Sequence, residues 1–103
     1  MEKPDKWIVI KIEDGLYKVL ASWYGGYLDG DYWKLNSGIV SVSDEGDWFD
    51  FLGESGSIYR CHKRAYGTSM FTRGFLNEMI EESLSTGNII DVMPEDTDWE
   101  KLF

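Results

Sequence analysis

The sequence has little of the residue types that most often carry chemistry. It holds one cysteine, one histidine and two prolines among 103 residues. A lone Cys61 cannot form an internal disulfide, which is typical of proteins from a reducing compartment. One histidine and one cysteine also cannot supply the spaced ligand pairs of a zinc signature. We therefore expect no metal, no cofactor and a cytoplasmic location.

Long apolar runs are also lacking. The first one begins at Trp7, after several charged residues, and is interrupted at Lys11. That length is far short of a membrane span or of the apolar part of a secretory leader. The sequence therefore predicts no contact with a membrane.

Positive charge is scarce, with 10 lysines and arginines against 19 acids and a net charge of -9. As a whole the chain repels nucleic-acid phosphate and anionic lipid. Residues 53–74 are the exception, since every arginine of the protein lies there and Glu54 is the only acid. We call the cationic residues of this stretch the basic island: Arg60, His62, Lys63, Arg64 and Arg73.

Aromatic residues, in contrast, are plentiful at 16%, and the hydrophobic content of 43% suits one globular core. Apolar and polar residues alternate in short runs separated by turn residues up to about residue 62, which predicts an antiparallel meander of about six short strands. The spacing then changes to that of an amphipathic helix over 72–85, packed on the sheet. A further strand over 88–93 and a capped terminal turn near 97–100 complete an α+β fold. We assign residues 1–93 to a single α+β domain and residues 94–103 to an acidic, aromatic C-terminal tail.

Cys61 and His62 are adjacent and suggest a thiolate-imidazolium pair for nucleophilic catalysis. Strand alternation argues against it, because neighbouring side chains of a strand point to opposite faces. The chain offers no second histidine as a base. We therefore expect Cys61 to be a buried apolar residue beside Tyr59, assign no catalytic residue, and regard an enzyme as the less favoured class.

The basic island has several interpretations. Arg60, His62 and Arg73 could converge with their neighbours on one anion, or present a small surface for single-stranded nucleic acid. The acids of the C-terminal segment could instead neutralise the island within the molecule. Contact with another protein is the third interpretation.

The tail is a second candidate for binding, because Trp99, Leu102 and Phe103 would share one face of a short turn amid acids. Such a turn suits docking into a groove. It could equally pack on its own domain. If it reached a neighbouring copy, tail and basic island would pair in a symmetric homodimer.

The leading hypothesis is a small acidic, non-enzymatic module that binds another protein, with a basic surface as the expected target. Composition and layout are typical of accessory proteins of mobile elements, including inhibitors and immunity-type proteins. One alternative is a small-ligand-binding protein or enzyme with an aromatic pocket between sheet and helix, where Arg60, His62 or Arg73 would supply polar contacts. The other is binding of single-stranded nucleic acid or an anion through the basic island.

Overall fold

A computed structural model describes residues 1–12, 15–25 and 30–103. These residues form seven strands and two helices, which we number in chain order. The strands are β1 (Lys6–Ile12), β2 (Leu16–Trp23), β3 (Tyr32–Leu35), β4 (Ile39–Asp44), β5 (Trp48–Gly53), β6 (Ile58–His62) and β7 (Ile90–Val92). The helices are α1 (Met70–Thr86) and α2 (Trp99–Leu102).

The strands divide into two antiparallel sheets. The first has the order β3-β2-β1-β7, and the second has the order β4-β5-β6. The predicted α+β class, with an antiparallel sheet, one main helix and a short terminal helical turn, is confirmed. The division into two sheets was not predicted. A meander would pair each strand with the next one in the chain, but β3 and β4 do not pair.

One core lies between the two sheets. Alternate residues of β1 and β2 face the second sheet, where Phe51 and Cys61 are fully buried. The opposite face of the first sheet carries Ile8, Ile10 and Leu20, which pack beneath Leu76 of α1. The first sheet is therefore the middle layer, with α1 on one side and the second sheet on the other.

Helix α1 has defined ends. The side chain of Ser69 accepts a hydrogen bond from the backbone N–H of Thr72 at 3.1 Å, which is an N-cap. Gly87 ends the helix with a left-handed φ of 84°. The helix predicted over 72–85 is thus confirmed and begins two residues earlier, at Met70.

The N-terminal segment covers the outer edge of the second sheet. The backbone N–H of Glu2 donates to the carbonyl of Ile58 at 2.8 Å, and Arg60 N–H donates to the carbonyl of Glu2 at 2.8 Å. This parallel bridge satisfies backbone groups of β6 that would otherwise form an open edge.

Neither helix in the described ranges is long and apolar enough to cross a membrane.

Candidate functional site

The basic island is divided by the fold. Arg60 and His62 lie on the outer face of the second sheet, and Lys63 and Arg64 follow in the turn after β6. Arg73 belongs to α1, which packs on the far side of the first sheet. The five residues therefore do not converge on one anion.

Arg60 is paired within its own sheet. Its Nε and Nη2 donate to Oδ1 and Oδ2 of Asp50, both at 2.8 Å, in a two-pronged ion pair. The guanidinium also lies over the ring of Trp48, 4.7 Å from its centroid. The hydrogen bonds that Arg60 donates to Asp50 raise the pKa of Arg60 above its ordinary value. The charge of Arg60 is thus neutralised by Asp50, and one face of the Trp48 ring is covered by Arg60.

Lys63 is paired in the same way. Its Nζ lies 2.8 Å from Oδ1 of Asp44 and 4.7 Å from the ring centroid of Phe49. The hydrogen bond from Lys63, followed by the backbone N–H of Gly46, lowers the pKa of Asp44. Two residues of the island, Arg60 and Lys63, are therefore neutralised by acids of β5 and β4. The interpretation that acids of the C-terminal segment neutralise the island does not hold for these two residues.

His62 and Arg64 are the exposed part of the island on this face. The Nδ1 atom of His62 accepts a hydrogen bond from the backbone N–H of Arg64 at 3.1 Å. The carbonyl of His62 accepts the indole N–H of Trp7 at 2.7 Å. His62 thus contributes to the turn after β6, and no carboxylate among the described residues orients its ring for catalysis.

Cys61 points away from His62 into the core. It is fully buried, and its Sγ lies 3.7 Å from the carbonyl oxygen of Tyr59. Burial raises the pKa of the Cys61 thiol well above its ordinary value. The buried apolar role predicted for Cys61 is therefore what the structure shows, and its thiol is poorly suited to attack a substrate.

The residues of the tail pack on the domain itself. Trp99 is 2% exposed, and its ring lies 6.0 Å from those of both Trp7 and Phe51. Phe103 meets the ring of Tyr17 edge to face at 5.3 Å, and Leu102 is half-buried against the same core. Trp99 is thus inaccessible to a partner while the tail stays packed, whereas Leu102 and Phe103 remain partly exposed.

A cleft lies between α1 and β7, and most of the residues that line it were not predicted from the sequence. It has a volume of about 320 Å³. The side chains that line it are Ile8, Tyr66, Leu76 and Val92 together with the polar Thr68, Arg73 and Asn77. Of the three residues expected to supply polar contacts in a pocket between sheet and helix, the cleft contains Arg73, whereas Arg60 and His62 lie on another face. Tyr66 is the one aromatic residue among those that line it.

Tyr66 lies at the junction between this cleft and the first sheet. Its hydroxyl accepts a hydrogen bond from the backbone N–H of Val9 at 3.2 Å and donates to the carbonyl of Met93. Burial raises the pKa of Tyr66. Sequence analysis missed this residue, because nothing in its neighbourhood shows that it bridges two strands far apart in the chain.

Several apolar side chains of α1, β7 and the segment between them are exposed. Val92 and Ile89 are 42% and 51% exposed, and Leu84 and Met70 are 70% and 93% exposed. Met70, Asn77 and Leu84 follow one another at seven-residue intervals, which places them along one side of α1. Among these residues, Val92 and Asn77 line the cleft.

Charge is distributed unevenly between the layers. Eight acids follow Phe75, and within the described ranges only Asp98 forms an ion pair, a loose one with Lys101 at 3.9 Å. The other seven are Glu78, Glu81, Glu82, Asp91, Glu95, Asp96 and Glu100. We call these seven the acidic face, a name that refers to their place in the chain: they belong to α1, β7 and the segments that follow.

No three histidine, cysteine or carboxylate side chains in residues 1–12, 15–25 and 30–103 are grouped so as to hold a metal ion. No protein-family model, no curated protein and no solved structure matches the chain. A functional proposal therefore depends on the surfaces of this molecule.

Proposed function

We propose that this protein is a non-enzymatic interaction module that binds a basic partner protein through α1 and β7. The proposal depends on one observation. Arg60 and Lys63 of the basic island form ion pairs with Asp50 and Asp44 of the second sheet, whereas the acids of the acidic face form none within the described ranges. The seven acids of the acidic face thus bring unpaired negative charge to α1, to β7 and to the segments that follow. A partner of opposite charge would be attracted to these elements.

The pairing of the basic island also weighs against nucleic acid as the partner. The ring of Trp48 is covered by Arg60, and the charge of Arg60 is taken up by Asp50. Stacking of bases needs free aromatic faces beside free cations. A phosphate backbone would moreover meet the negative field of the rest of the chain.

Catalysis has little support from the same residues. Cys61 is buried with a raised thiol pKa, and the ring of His62 accepts its described hydrogen bond from the backbone N–H of Arg64. The cleft beside α1 contains one cation, Arg73, whose Nε donates to Thr68 Oγ1 at 3.4 Å. An apolar cleft with one cation on its rim resembles a docking groove more than a set of paired acids and bases.

An inhibitor or immunity-type accessory of a mobile element is the biological class that fits this proposal. Such a protein acts by covering the basic surface of a nucleic-acid-binding enzyme in the cytoplasm. The acidic face supplies the complementary charge, and the proposal requires no second copy of the chain.

The test compares two variants of equal net charge. In the first, Glu78→Gln, Glu81→Gln and Glu82→Gln remove three charges of the acidic face. In the second, Glu45→Gln, Asp47→Asn and Glu54→Gln remove three exposed acids from the second sheet and its turns. Fluorescence anisotropy with a labelled ten-residue lysine peptide at low salt reports the affinity.

We expect the first variant to bind the peptide about tenfold more weakly, since each lost rim charge contributes a fraction of a kcal/mol. The second variant should bind as the unaltered protein does. An equal loss in both variants would show that only net charge matters, and absence of binding to the unaltered protein would refute the proposal.

A further inference from the structure

The cleft beside α1 and the outer edge of β7 lie next to each other. Together they could bind an extended peptide segment, with its backbone on β7 and its side chains in the cleft. Resting on the proposed function, we propose that the basic partner presents an extended segment that adds to β7 as a further antiparallel or parallel strand. Alternate side chains of that segment enter the cleft beneath α1. The interaction surface is thus a sheet edge and a groove at once.

The edge of β7 has backbone groups available for such a strand. Strand β7 is the outermost strand of the first sheet within the part of the chain that is described. Asp91 lies opposite Lys11 of β1, and Met93 N–H donates to the carbonyl of Val9 at 2.8 Å. Since bonding directions alternate along a strand, the N–H and C=O groups of Ile90 and Val92 point away from β1. Unpaired groups of this kind are a template for a partner strand.

The cleft lies on the face of the sheet that such a strand would share. Val92 forms one side of the cleft and Leu76 of α1 another, with Ile8 between the sheet and the helix. Every second residue of an added strand would face α1 and reach this space of about 320 Å³. Apolar residues of moderate size fit those positions, and their burial would cover Val92, which is 42% exposed.

The other sheet edges lack this combination. On the α1 side of β3, Trp33 is stacked on Phe75 with ring centroids 3.7 Å apart, so the space is filled. Strand β4 has one irregularity of register with β5, between Ile39 and Ser41. A depression also adjoins β4, but polar side chains form much of its lining, namely Ser41, Ser43, Glu45 and Asp50. Strand β7 therefore combines an open ladder with a cleft that is mainly apolar.

The charges around β7 specify the rest of the occupant. Asp91 lies between Ile90 and Val92 and points to the face opposite the cleft, where it forms no ion pair within the described ranges. A lysine or arginine next to it on an added strand would gain a cross-strand ion pair. The expected segment therefore alternates apolar and basic residues. A second copy of this chain is a poor occupant, because two chains of net charge -9 would bring their acidic faces together.

The decisive probe is a ten-residue peptide of alternating valine and lysine, labelled at one end. Its matched control carries N-methyl groups on every second backbone nitrogen, on the edge that would pair with β7. Sequence and charge are then the same, but the peptide cannot donate its N–H groups to the carbonyls of β7. We expect the N-methylated peptide to bind about tenfold or more weakly, and the amides of Ile90 and Val92 to become protected from hydrogen exchange only with the unmodified peptide.

A pair of variants tests the cleft. Asn77→Trp fills the groove from an exposed position of α1. Ser85→Trp places the same ring about two turns further along the helix, at an exposed position that does not line the cleft. The first should weaken binding of the alternating peptide about tenfold, and the second should leave it unchanged.

The outcomes separate this inference from the proposed function. If the alternating and N-methylated peptides bind equally, or if light scattering shows a dimer that Asn77→Trp dissociates, strand addition by a basic segment is wrong while an acidic interaction module can stand. If neither these peptides nor the lysine peptide binds, the proposed function fails as well. Loss of binding on both N-methylation and Asn77→Trp, with Ser85→Trp unchanged, supports the inference.

Discussion

Tyr66 completes the hydrogen bonding of β1 at a place where the sheet would otherwise be broken. The chain at Tyr66 pairs with Trp7, and β7 pairs further along the same edge of β1. Between the two, the Tyr66 hydroxyl is inserted between the N–H of Val9 and the carbonyl of Met93. One side chain thus satisfies two backbone groups, one of them in a fully buried residue.

Tyr66→Phe should lower the free energy of unfolding by about 1–3 kcal/mol, because the buried N–H of Val9 loses its acceptor. Urea denaturation followed by tryptophan fluorescence measures this loss. Tyr17→Phe is the matched control, since the Tyr17 ring also packs on the core and its hydroxyl has no hydrogen-bond partner among the described residues. A loss of equal size in both variants would contradict the role given to Tyr66.

Residue-level predictions from sequence succeeded where only the local chain mattered. Alternation within β6 correctly placed Cys61 in the core and His62 outside it. The partners of Arg60 and Lys63 could not be found in this way. Any of the 19 acids could have paired with them, and the choice of Asp50 and Asp44 depends on the register of β4, β5 and β6.

At the scale of elements, the position of helix α1 was predicted from the sequence, but its N-cap was not. Its apolar spacing and the glycine after it indicated a helix at about the observed position. The N-cap was not foreseen, because Ser69 precedes the predicted start. The cap nevertheless determines where the chain leaves the segment after β6 and turns onto the first sheet.

Ser69→Ala should lower the free energy of unfolding by about 1 kcal/mol, the usual value of an N-cap hydrogen bond. The Ser69 hydroxyl is buried and lies within hydrogen-bond distance of both Thr72 N and Thr72 Oγ1. Thermal and urea unfolding measure the change. Ser85→Ala, at an exposed position of the same helix, should change the stability by less than about 0.5 kcal/mol, and a comparable loss there would argue against a specific cap.

Strand β7 is the element on which the further inference depends, and its length is three residues. The sequence suggested a strand over 88–93 but could not show its neighbour. It pairs with β1, the first strand of the chain. That position leaves one side of β7 open beside α1, and no local pattern in either segment encodes this arrangement.

For the whole molecule, the C-terminal tail is part of the core and not an appendage. Trp99 lies among aromatic residues of both sheets, including Trp7, Phe51 and Tyr66. A small domain gains a large share of its stability from a few such rings. The tail therefore closes one end of the space between the sheets.

Trp99→Ala should lower the free energy of unfolding by about 3–5 kcal/mol, as expected for a buried aromatic residue that leaves a cavity. Trp99→Phe should recover part of that loss. The change is measured by the urea midpoint, with Leu84→Ala as the control, because Leu84 is 70% exposed and should contribute less than about 0.5 kcal/mol. A Trp99→Ala variant as stable as the Leu84→Ala variant would show that the tail is not part of the core.

The sequence by itself determined the properties that depend on neighbours in the chain: net charge, the alternation of strands, the period of α1 and the turn residues between elements. These follow from backbone geometry over a few residues. The tertiary structure decided the rest, namely the two sheets, the pairing of Arg60 with Asp50, the burial of Trp99 against Trp7, and the cleft beside β7. Each of these joins segments far apart in the chain, so it arises only when the layers pack and bring distant side chains within contact distance.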